Sequence, residues 1–147
     1  MSISKRFLIL VFSALLATYS QSVLSAEQQA PQKLEGEALH IKLVETALKY
    51  DFYNKRCRGI SVAGESYQVE RLFLQKYGMT INNFIKQYID RDTRAYKEAL
   101  KKDLYKQLFE MGGCDLAKDK GLLKQFQQKL KMLYNQAELS PWFPSEL

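Results

Sequence analysis

Few residues in this chain are of types that do chemistry unaided. Its two cysteines are Cys57 and Cys114, and its single histidine is His40. A pair of thiols can close a disulfide, join a metal site, or supply a nucleophile beside a base. Metal binding and nucleophilic catalysis both need further ligands or a base, and no cluster of them surrounds either cysteine. His40 has Glu37 three residues earlier on one helical face, and it reads as a surface residue near a helix start. It is too isolated in sequence to be assigned as a base for serine or cysteine. Asp90 and Asp92 flank Arg91, with Glu70 and Glu110 as more distant carboxylates. A two-carboxylate glycosidase would need a cleft and a set separation, so capping and a local ion pair are the better account. We therefore expect no enzyme, no cofactor and no metal, and a disulfide between Cys57 and Cys114.

The compartment supports that disulfide. Lys5 and Arg6, the apolar run from Phe7 to Ala17 and the polar stretch ending at Ser25-Ala26 have the three parts of a secretory signal, expected over residues 1–26. The apolar run falls well short of the roughly 20 residues a membrane-spanning helix needs, and no cysteine near the cut suggests a lipid anchor. We expect a periplasmic or secreted protein with no membrane span after signal removal. Residues 27–36 are polar and read as a disordered lead-in, and residues 37–147 as one helical domain. The formal net charge is +6, of which Lys5 and Arg6 lie in the signal. That excess is too small and too dispersed for nucleic acid, whereas an acidic protein surface or an anionic envelope polymer suits it better.

The elements that must position these residues are helices. Leu39, Leu43, Val44, Ala47, Leu48 and Phe52 form a helical stripe that ends beyond Cys57 at Arg58-Gly59, with Glu45 and Lys49 as an exposed pair. The stretch Ile60 to Gly64 fits either an extended piece or a helical turn. Val69, Leu72, Phe73 and Tyr77 mark a second helix ending at Gly78. Thr80 caps a third, with Ile81, Phe84, Ile85, Tyr88 and Ile89 in register. A fourth, capped by Asp92 or Thr93, carries Tyr96, Leu100, Leu104, Leu108 and Met111 inward and pairs Glu98 with Lys102, stopping at Gly112-Gly113. A fifth begins by Asp119, uses Leu122, Phe126, Leu130, Leu133, Tyr134 and Ala137, and ends before Pro141. The tail Pro141-Trp142-Phe143-Pro144 should fold back onto the bundle. The fold class is all-α: a single-domain bundle of about five helices, with the disulfide tying the end of helix one to the end of helix four.

On the fourth helix Arg94, Lys97 and Lys101 share a face, with Arg91 just before it and Tyr105 nearby. These five are the candidate partner-binding residues. Tyr53, Tyr67 and Tyr105 fall off the inner stripes and are further interface candidates.

The run Tyr88-Ile89-Asp90-Arg91-Asp92, the helix through Leu104 and Leu108 that precedes Cys114, and Cys57 at the end of an earlier helix together resemble the exported immunity proteins that neutralise type VI secretion amidases. The resemblance implies a small helical periplasmic domain with one disulfide, acting as a homodimer that plugs the cleft of a peptidoglycan amidase. It assigns no inhibitory residue here. The leading expectation is an exported, non-enzymatic binding protein, an inhibitor or immunity protein that covers a partner effector enzyme. An envelope stress or chaperone-like protein binding unfolded chains or anionic glycans is the alternative, and a secreted virulence or adhesion factor a third.

Overall fold

A computed structural model describes residues 34–145, and all its regular elements are helical. The signal assigned to residues 1–26 and most of the 27–36 lead-in lie outside the described residues. The helices are α1 (Gly36–Arg58), α2 (Gly64–Tyr77), α3 (Ile81–Tyr88), α4 (Thr93–Glu110), α5 (Cys114–Asp119) and α6 (Leu122–Leu139). The final part of the chain is thus two helices where one was expected. Gly121, at φ 80°, breaks the run between Lys120 and Leu122 and lets the short α5 turn into α6.

Helix α1 is the axis of the bundle. It touches every other helix, α6 and α2 most extensively. Leu39, Leu43, Val44, Ala47, Leu48, Tyr50 and Tyr53 are buried on it, and so are the polar His40, Thr46, Asp51 and Asn54. Burial therefore runs round the helix, wider than the single stripe its aliphatic residues outline. The polar members tolerate it because each is hydrogen-bonded. Thr46 Oγ1 donates to the Lys42 carbonyl, and Asn54 Oδ1 accepts from Arg58. Tyr53, expected at an interface, is only 1% exposed and is a core residue that meets Phe126.

Asp51 performs the most consequential of these bonds. Helix α2 has no side-chain cap at its own N-cap residue, Ala63. Instead, the Asp51 carboxylate on α1 accepts from the Glu65 amide at 3.0 Å, the Ser66 amide at 2.8 Å and the Ser66 hydroxyl at 2.6 Å. A carboxylate at a helix start satisfies free amides and opposes the helix dipole, here from a different helix. Asp51→Ala should cost about 1–3 kcal/mol, with hydrogen exchange speeding up first at Glu65 and Ser66. Unchanged exchange there would show that the cap is dispensable.

The other helix starts match local expectation. Thr80 accepts from the Asn83 amide to cap α3, and Asp92 accepts from the Arg94 and Ala95 amides to cap α4. Helix α1 ends at Gly59, whose φ of 66° lets its amide return to the Asn54 carbonyl. The disulfide is present, with the Cα atoms of Cys57 and Cys114 5.3 Å apart. Since Cys114 opens α5, the bond joins the last turn of α1 to the first turn of α5, one turn later in the chain than the end of α4.

The C-terminal tail folds back as expected. Trp142 packs against His40, Tyr77, Phe84 and Tyr88, and Pro144 is buried. The Lys76 ammonium holds the tail in place by donating to the carbonyls of Ala137, Glu138 and Ser140 at 2.6–2.9 Å. These carbonyls lie at the end of α6, where a cation suits the helix dipole.

Candidate protein-interaction surface

The turn before α4 is built by its own carboxylates. Asp90 Oδ1 accepts from the Asp92 amide at 2.8 Å, and Asp92 Oδ1 accepts from the Arg94 and Ala95 amides at 3.1 and 2.9 Å. Both acids therefore serve the backbone. Glu110 sits at the far end of α4, a helix of 18 residues and so about 27 Å long. It lies 3.9 Å from Lys106 and cannot meet the two aspartates.

The same turn leaves Arg91 exposed, on the rim of a shallow concavity of about 520 Å³ that it shares with Met79, Asn83, Lys86 and Gln87. Arg94 is also exposed. The next two cations of the stripe are half-buried and engaged: Lys97 donates to Asn82 Oδ1 at 2.7 Å, and Lys101 pairs with Glu98 at 2.6 Å. The Glu98 partner is Lys101 and not Lys102, because the three-residue spacing also lies on one face. Lys101 holds the Glu98 carboxyl below its ordinary range. Arg91 and Arg94 form no ion pair among the described residues.

At the other end of α4 the surface becomes aromatic. Tyr105 is half-buried with the Arg56 guanidinium of α1 over its ring, 5.4 Å from the centroid. One turn on, Phe109 is 84% exposed. Arg56, Tyr105, Leu108, Phe109, Gly112, Gly113 and Cys114 line a groove of about 420 Å³ whose floor adjoins the disulfide. Neither Arg56 nor Phe109 stood out in sequence. Phe109 had a usable signal: Leu100, Leu104 and Leu108 define the buried line, and the residue after Leu108 is turned about 100° away from it.

The charges between α1 and α4 are structural. Glu45 sits between Lys42 and Lys49, at 2.8 and 3.3 Å, and Lys49 reaches across to Asp103 of α4 at 2.5 Å. Burial would raise the Glu45 carboxyl, but bonds from the two lysines outweigh it and hold the group low. The network ties α1 to α4, so the expected exposed pair is part of a helix–helix contact.

His40 also leaves the list of surface residues. It is fully buried, with Nδ1 2.7 Å from the Gly36 carbonyl and Nε2 2.5 Å from the Tyr77 hydroxyl. A carbonyl only accepts, so Nδ1 carries the proton and Nε2 accepts from Tyr77. Burial lowers the imidazole below its ordinary value, with the Lys76 charge adding to the effect, and pushes the Tyr77 phenol up to about 12. The ring is a satisfied core group packed under Trp142.

Among the described residues no three of histidine, cysteine, aspartate and glutamate gather as metal ligands. A concavity of about 620 Å³ between the start of α1 and the tail is walled mainly by Leu34, Leu39, Leu139, Pro141 and Trp142. The surface that combines free charge, aromatic area and a rigid footing is therefore the length of α4 from Arg91 to Phe109. No family model, curated protein or solved structure matches the chain.

Proposed function

We propose that this is an exported, non-enzymatic binding protein that covers an acidic protein partner with the outer face of α4, as an inhibitor or immunity protein would cover an effector enzyme. The observation that carries the reading is the pairing of two exposed, ion-pair-free arginines at one end of α4 with the Arg56–Tyr105–Phe109 cluster at the other. Arginine and aromatic side chains are the types that dominate binding energy at protein interfaces, and free surface cations speed encounter with an acidic patch. Shape and charge complementarity suffice for inhibition. A surface held by packed helices and a disulfide loses little conformational freedom on docking. The resemblance to amidase immunity proteins makes a peptidoglycan amidase the first enzyme to try.

Affinity capture from an envelope extract should return one stoichiometric enzyme. Replacing Arg91 and Arg94 together by glutamate should then weaken its binding by about tenfold or more, mainly through a slower on-rate at low salt. Equal binding by the double variant would remove these arginines from the interface. A second reading has its own support in the exposed apolar side chains Val62, Phe109 and Leu139. A chaperone-like protein would use them to hold unfolded chains. Suppression of aggregation of reduced insulin, with no single partner enzyme captured, would favour it.

A further inference from the structure

We infer that the groove beside the disulfide is an anchor site for a partner segment that presents an apolar or aromatic side chain next to a carboxylate. The inference rests on the protein-binding reading and specifies the chemistry the partner must bring.

Phe109, on the groove's wall, exposes 84% of its surface although Leu108 beside it is buried, so the ring is held out in water by the helix register. One turn before it on the same helix, Tyr105 carries the Arg56 guanidinium over its ring. Stacking on an aromatic face presents an arginine in a fixed orientation, with its donors free at the edge. Arg56 has no ion pair among the described residues, so a carboxylate brought by a partner would be its first. The floor is made by Gly112, Gly113 and Cys114. Gly112 has φ 94°, and a Cβ there would come within 2.5 Å of Leu116 Cδ1. The positive φ at Gly112 favours glycine at this turn of the groove lining. The Cys57–Cys114 bond locks the floor to the helix that carries Arg56, one residue before Cys57. The volume of about 420 Å³ accommodates one large side chain and its neighbours. The groove therefore offers an apolar seat, a preset cation at its edge and a rigid base, which together select an acidic residue adjoining a hydrophobic one.

The test is a titration of the ¹⁵N-labelled, oxidised protein with two blocked hexapeptides. One carries Phe-Leu between aspartates, and its twin carries lysine at each aspartate position. The acidic peptide should saturably shift the amides of Tyr105, Phe109, Gly112 and Gly113 and bind at least about tenfold tighter than its twin. Phe109→Ser should weaken binding of the acidic peptide about tenfold. Arg56→Gln should erase the preference for acid while leaving the helical spectrum intact, since both side chains lie at the surface. Equal affinity for the two peptides, or shifts centred on another face, would overturn the inference. Failure of the groove and failure of the proposed function give different results. Specific peptide binding without a captured enzyme would sink that reading alone, while a captured enzyme whose binding needs Arg91 and Arg94 but ignores Phe109 and Arg56 would sink only the groove.

Discussion

Replacing Cys57 and Cys114 together by serine should lower the free energy of unfolding by about 3–4 kcal/mol. The bond spans a sequence separation of 57 residues, which includes all of α2, α3 and α4. In the unfolded chain that cross-link removes a large share of loop freedom, and the loss of this restraint is worth about 4 kcal/mol in the chain-entropy picture. Natural domains are stable by only about 5–15 kcal/mol, so the variant should remain folded but unfold well below the parent's midpoint. The core argues for survival of the helices. Leu43, Val44, Phe73, Phe84 and Leu104 are wholly buried. Looseness should therefore appear first in the last turn of α1 and in α5, and with it at the groove that holds Arg56 and Phe109. Urea unfolding with and without reductant measures the first effect, and hydrogen exchange at Gly113 to Ala117 the second. A loss under about 1 kcal/mol would mean that packing alone fixes this end of the bundle, and collapse of helicity on mild reduction would mean that the bond holds the entire fold.

The second large effect belongs to His40. His40→Ala should cost about 2–4 kcal/mol, because it opens a cavity in the core and leaves the buried Tyr77 hydroxyl without its acceptor. The neighbouring rings magnify the loss. His40 lies 4.4 Å from Trp142 and within 6 Å of Phe73 and Tyr77, centroid to centroid, so the tail would lose its seat along with the imidazole.

The same residue predicts a pH dependence. The folded ring is held below its ordinary value of 6.5 by burial, while the unfolded ring is not. Between those two values the unfolded chain binds more protons, so stability is complete above about pH 6.5 and falls as the pH drops through it, levelling off below the folded value. Protonation would place a proton on Nε2, where the Tyr77 O–H now donates, beside a lysine charge. Since His40 is the only histidine, His40→Gln should flatten the stability profile between about pH 5 and 7. The parent should show Trp142 fluorescence changing in that range as the tail loosens. A parent profile that is flat from pH 7 to 5 would show that the buried imidazole keeps its ordinary value.

Much of the architecture was legible from one-dimensional pattern. Phe84 and Ile85 after Thr80 follow the helical period, and Thr80 and Asp92 are caps whose bonds close within three residues. Such features depend only on neighbours in the chain. The disulfide was legible for a different reason: two cysteines allow a single pairing. The division of the last segment at Gly121 was missed because Ala117 and Leu122 keep the apolar pattern running through the break.

The candidate surface was half legible. Arg91 and Arg94 are exposed as the polarity of their turn implies, and Tyr105 does border the surface. Arg56 could not be placed there from sequence. It lies 49 positions before Tyr105, and only the packing of α1 against α4 lays one on the other.

The sequence by itself determined the helices, most of their ends, their apolar faces and the pairing of the two cysteines, because hydrophobic period, capping and cysteine number are local or combinatorial properties. The tertiary structure alone decided which polar residues go inside. His40, Asp51 and Tyr53 look like surface residues in the chain. They are buried because partners from other helices, Tyr77, Ser66 and Phe126, lie within reach once the bundle closes. Burying a polar group is unfavourable until it finds its bond, and that bond is a property of the fold.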